Sequence, residues 1–292
     1  MLRKIKAVIT LLKRAVDKFN TDNPVWLAGT TAYFAIFAIA PIIIIIISVA
    51  GFILNEETVR QKVFEELNKN LGQQGAKYIR TLISNYHNTN SSIIGTIVGS
   101  IAFLVTSTTF FSVLQGALNF VWKIKARPRH NLLKLLQDRA LSFGLILILG
   151  IIMMALLFAN AGLAFLHDFL YNKFPHLTVF FFKAANFILS FAITMLIFAI
   201  IYKFLPDAKI RWKVTWTGAF ITALLFTVGK YLIGLFLRLS HIGVAYGTAG
   251  SLVIILLWVY YSSLIFFFGA EVTDELVSSS YSTISFTTYP DT

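Results

Sequence analysis

The chain has 292 residues, of which 57% are apolar and 13% charged, against about 25% charged in an ordinary soluble domain. That balance argues against a soluble enzyme. The absence of cysteine excludes disulfides, thiolate metal centres and cysteine nucleophiles. A net charge of +12 would suit nucleic acid, but the placement of the charges is a topology signal instead, and no nucleic-acid partner is expected.

The chain opens on residues 1–22, where Leu2, Ile5, Ile9, Leu12, Val16 and Phe19 recur at steps of three and four among lysines and arginines. This predicts an amphipathic basic helix, lying on the cytoplasmic membrane face or docked on the protein's own loops. A charge-free stretch from Asn23 to Asn55 follows, too long for a cleaved signal peptide. A bilayer core about 30 Å thick needs about 20 apolar helical residues. Six segments meet that need, at about 32–54, 93–118, 140–164, 179–204, 214–237 and 244–268. In lipid the backbone must satisfy its own hydrogen bonds, so these are helices. The fold class is therefore all-α, a polytopic membrane bundle of six transmembrane helices over residues 23–271. Pro41 removes one hydrogen bond from the first span and kinks it. In the outer loop 55–92, Val59, Val63, Leu67 and Leu71 precede Gly72, and Tyr78, Ile79, Leu82, Ile83 and Tyr86 follow Gly75. This predicts an outer helical hairpin whose apolar stripe is packing. Residues 272–292 form a short, acidic, Ser/Thr-rich tail.

Orientation follows from Lys and Arg. The N-terminal segment carries six, the second-to-third connection six and the fourth-to-fifth four, against five, one and one on the other side. Sixteen against seven places both termini in the cytoplasm.

Chemistry is sparse. No two of the five histidines have helical metal-site spacing, and no phosphate-binding or nucleophile-elbow motif is present. No catalytic residue, metal or cofactor is expected, and a ribonuclease is not. Polar positions within the spans carry more weight, because charge in lipid is costly. Lys183 and Lys230, near the outer interface, make with Arg238 a candidate outer basic mouth for an anionic headgroup, or else snorkel to water. Tyr33, Pro41, Asn119, Tyr246, Tyr260 and Glu271 are candidates for a cavity or gate. Glu271 lies about 40 Å along the helix from Val244, at the cytoplasmic boundary, where it would pair with a basic residue of the inner loops such as Arg139 or Arg211.

Several segments together carry a resemblance: Leu27–Pro41 (LAGTTAYFAIFAIAP), Leu114–Trp122 (LQGALNFVW), Leu205-Pro206-Asp207, Gly218, Gly229-Lys230, and Ala245–Glu271 with its closing Gly269-Ala270-Glu271. In these the chain resembles the YihY/BrkB family of bacterial inner-membrane proteins. The resemblance implies a six-helix inner-membrane protein with both termini inside. It treats the ribonuclease BN label of some members as a misassignment. Two functions then stand: a transporter or flippase-like conduit for an amphiphilic or anionic envelope component, or a non-transporting envelope scaffold. Membrane lipids are the expected partners, with no oligomeric state specified.

Overall fold

A computed structural model describes residues 2–53, 56–88, 93–124, 140–152, 154–156, 159, 162–163, 175–208, 210–240, 246 and 249–280. Among these the chain is helical, without a strand. The helices are α1 (Leu2–Thr21), α2 (Pro24–Ile53), α3 (Glu56–Asn88) and α4 (Ile93–Val121), then α5 (Ala140–Leu156). They continue with α6 (Pro175–Phe204), α7 (Trp212–Leu239) and α8 (Gly250–Ser280). Four of them are long and apolar enough to cross a membrane, over Pro24–Ser48, Phe181–Phe204, Trp212–Leu237 and Gly250–Val277. The fold is thus an all-helical membrane protein. Helices α4 and α5 begin where two further spans are predicted.

Local chemistry sets the corners. Asn23 takes a positive φ of 52°, which asparagine tolerates better than most residues. Pro24 then starts α2 where a missing N–H does no harm. Helix α4 ends in a Schellman motif: Lys123 has φ 52°, Ile124 N–H bonds Asn119 C=O at 2.8 Å and Lys123 N–H bonds Phe120 C=O at 3.0 Å. Pro41 sits buried inside an otherwise continuous α2. Helix α3 is broken at Gly72 (φ 74°, ψ 171°), a conformation that L side chains resist.

Helices α2 and α8 are central. Helix α8 packs on α7, α2, α1, α3 and α4, α2 also packs on α4 and α3, and α6 leans on α7. One buried cluster joins Leu27, Phe111, Leu118, Trp122, Tyr202 and Phe267. A second joins Ile43 and Ile47 of α2 and Ile255 of α8 with Val59, Val63, Ile79 and Ile83 of α3. Of the stripe predicted as packing, Val59, Val63, Ile79 and Ile83 are buried, with Leu67 and Tyr78 packed against them; the Leu71 and Tyr86 side chains lie outside the described residues. Outward, α7 presents Phe220, Leu224, Val228, Leu232 and Leu235 to the surroundings. A face of that kind suits lipid and would be a liability in water.

Candidate functional site

Polar chemistry collects at two places. The first is a groove between α6 and α7, lined by Ser190 and Thr194 of α6 and Thr227, Lys230 and Tyr231 of α7, with Phe187, Phe191 and Phe226 around them. Its enclosed volume is about 20 Å³, room for about one water. The wall opens outward: Phe187 is 54% and Tyr231 65% exposed. Lys230 lies about 27 Å along α7 from its start at Trp212, at 1.5 Å per residue.

The second place is the end of the bundle where α4, α6 and α8 finish and α7 begins. Asn119 grips Asp207, donating from Nδ2 to Oδ2 (2.9 Å) and accepting the Asp207 N–H (3.0 Å). Gln115 Nε2 reaches Asp207 Oδ1 at 3.4 Å. This ties the α6–α7 connection to α4. Trp122 Nε1 donates to Ala270 C=O at 2.9 Å. Tyr202 donates to Phe266 C=O at 2.7 Å, lies 3.1 Å from the Thr222 hydroxyl and stacks on Phe266 with centroids 5.1 Å apart.

Beneath them, α1 docks on the last turns of α8. Ala15 is fully buried, Phe19 meets Phe268 edge-on at 5.5 Å, and Lys18 forms an ion pair and hydrogen bond with Asp274. Glu271, 1% exposed, lies 3.4 Å from Lys18 Nζ. Burial opposes the charge on Lys18, but the hydrogen bond and charge of Asp274, helped by Glu271, outweigh it and hold its pKa above the ordinary 10.5. Both oxygens of Glu271 and Asp22 Oδ2 are buried without a hydrogen-bond donor. Among the described residues no group of three or more His, Asp or Glu could hold a metal ion.

The pattern of the family described as virulence factor BrkB matches residues 15–286. The chain belongs to the virulence factor BrkB family. This BrkB-family chain is similar to a UPF0761 membrane protein of Haemophilus influenzae, 24% identical over 89% of the chain and 92% of the relative. It is also similar to UPF0761 membrane proteins of Alcanivorax borkumensis, 27% identical over 94% of the chain and 61% of the relative, and of a Psychrobacter species, 23% identical over 91% and 48%. The chain thus spans about half to three-fifths of the length of the last two. No solved structure matches it. The relatives' names state a membrane protein and no reaction.

Within this BrkB-family structure the sequence candidates separate. Asn119 and Glu271 are buried at the polar end where α4, α6 and α8 finish, and Pro41 is buried within α2. Tyr260 packs half-buried against the first core cluster. Tyr33 and Tyr246, each 58% exposed, stand on the outer surface, apart from those buried groups. Lys230 lines the α6–α7 groove, whereas Lys183 is exposed on α6 one turn before Phe187 and is not part of the lining. The Arg238 side chain lies outside the described residues, as does Arg139. The basic partner expected for Glu271 proves to be Lys18 of α1; Arg211 is exposed at the start of α7. Sequence reasoning missed Lys18, Asp22 and Asp207. One signal for the first two is legible afterwards: Lys18 and Asp22 stand four apart at the end of α1, matching Glu271 and Asp274 three apart on α8.

Proposed function

We propose that this protein is a conduit for an anionic amphiphile of the cell envelope, in a bacterial inner membrane, with both termini in the cytoplasm. It would cross the membrane six times, by α2, α4, an extended α5, α6, α7 and α8, with α3 folded as an outer cap. The observation that carries the reading is the α6–α7 groove. It holds an ammonium and four hydroxyls, from Lys230, Ser190, Thr194, Thr227 and Tyr231, in the wall between two membrane-crossing helices. A cation held there has a reason to meet an anion that arrives from the lipid, since burying it alone costs free energy. Phe187, Phe191 and Phe226 beside it offer apolar surface for an acyl chain. Orientation is supported by the Lys and Arg count; exposed tryptophans at the starts of α2 (Trp26) and α7 (Trp212, Trp216) suit helix ends at a membrane interface, on either side.

Native mass spectrometry of the detergent-solubilised protein, titrated with anionic and zwitterionic phospholipids of equal chain length, tests the site. Preferential retention of the anionic lipid, lost in Lys230→Gln, is expected. Equal retention of both lipids, or a preference that survives the substitution, contradicts the assignment.

A further inference from the structure

The groups that the conduit leaves unused converge on one place, the contact of α1 with α8. Asp22 follows Lys18 by one turn, just past the end of α1, its N–H bonding the Lys18 carbonyl at 3.1 Å, so both side chains lie on one side of that helix end. Glu271 and Asp274, three apart, share the facing side of α8. The Asp22 carboxyl interacts directly with that of Glu271. Glu271 is 1% exposed, yet neither of its oxygens meets a hydrogen-bond donor, and Asp22 Oδ2 meets none either. The Lys18 ammonium is hydrogen-bonded to Asp274 and offers Glu271 only a charge contact at 3.4 Å.

Three ionised carboxylates around one ammonium would leave excess negative charge at Glu271, which is 1% exposed, and an uncompensated buried charge is strongly destabilising. Two carboxyls that share a site do not both ionise readily. A proton on Glu271, donated to Asp22, removes one charge and supplies the missing donor at once. A metal cation answers less well. The described residues hold no group of three His, Asp or Glu able to bind one, and the Lys18 ammonium already occupies the cationic position. Among the described residues the charged groups acting on Glu271 from outside its helix are Lys18 on α1 and Asp22 just past the end of α1; its own helix adds Asp274 three residues on.

We propose that Asp22 and Glu271 form a proton-binding carboxyl pair at the inner end of the bundle, Glu271 carrying the proton and Asp22 accepting the hydrogen bond. The proton comes from water on the inner side and returns to it. Its loss sets two carboxylates against each other across the α1–α8 contact, so proton occupancy and the docking of α1 are linked. The proposal goes beyond the conduit reading and stands without it.

Infrared spectroscopy of the purified full-length protein at neutral pH reads the pair directly, with no transport step. The native protein is expected to show the C=O stretch of a buried carboxylic acid. That band should vanish in Glu271→Gln, shift or vanish in Asp22→Asn, and persist in Glu275→Gln, which alters a carboxylate on the same helix outside the pair. The native spectrum alone is decisive even if a variant misfolds. Absence of the band from the native protein, or its survival in a folded Glu271→Gln protein, overturns the proposal.

Discussion

A Cβ at Gly269 would overlap the Thr222 hydroxyl, and one at Gly218 the Thr273 hydroxyl, so each glycine faces a threonine of the other helix across the α7–α8 contact. Those threonines bond their own helix, Thr222 to Gly218 C=O and Thr273 to Gly269 C=O, and have little freedom to give way. Small residues let helices approach in lipid, where packing replaces the hydrophobic driving force. Gly269→Ala and Gly218→Ala should each lower stability by about 1–3 kcal/mol, the range for overpacking. Gly234→Ala, with nothing within 4 Å of the added carbon, is the control in thermal unfolding. Equal midpoints for Gly269→Ala and Gly234→Ala would contradict the contact. Both glycines are visible in the sequence, but their partners are not, because a threonine 47 residues away (for Gly269) or 55 away (for Gly218) becomes a neighbour only through tertiary packing. Asn119 shows the same limit. A polar residue in an apolar run marks burial, whereas its partner Asp207 lies 88 positions along the chain. Asn119→Ala leaves the Asp207 carboxylate short of its donor and should cost about 1–3 kcal/mol, read by the same assay.

Helix α1 illustrates what periodicity does and does not specify. The three-and-four spacing of apolar residues identifies the helix, but the structure docks it on the end of α8 and not on the loops that were the alternative to the membrane face. The docking face, however, is Ala15, Lys18 and Phe19, while Leu12 and Val16 of the predicted stripe stay exposed. Ala15 admits close approach and Lys18 meets carboxylates that only the end of α8 supplies, so the docking face could not be read from α1 alone. The ion pair also has a pH signature. Because the folded-state pKa of Lys18 is raised, its contribution is fully present below 10.5 and is lost as pH rises through the folded value. The stability difference between the native protein and Lys18→Met should therefore begin to close only at pH above 10.5; closure below pH 9 would contradict the pairing. On α7, nitroxide labels at Leu224 and Val228 should be mobile and accessible to oxygen dissolved in lipid, and one at the buried Ala223 should not. Equal accessibility at the three positions would remove the lipid-facing stripe.

At the scale of the molecule, hydropathy and charge made the helical membrane fold legible, because the bilayer allows few alternatives. The chemistry was less legible. Lys230 was marked by its cost in lipid, but two of the four hydroxyls that surround it come from a second helix. The ends of α4, α6 and α8 and the start of α7 meet at one pole, through Trp122–Ala270, Tyr202–Phe266 and Gly218–Thr273. Alternating helix directions require this. With that pole in the cytoplasm, a cysteine replacing the exposed Lys62 of α3 should react with an impermeant thiol reagent added outside, and one replacing Lys213 should not. Reversed labelling would invert the orientation. The conduit itself is tested most directly in proteoliposomes, by following fluorescent anionic and zwitterionic phospholipids across the bilayer. The account predicts that the protein accelerates movement of the anionic lipid over empty vesicles, and that Lys230→Gln removes most of the acceleration while the protein stays folded. Movement no faster than in empty vesicles, with correctly inserted native protein, would contradict it.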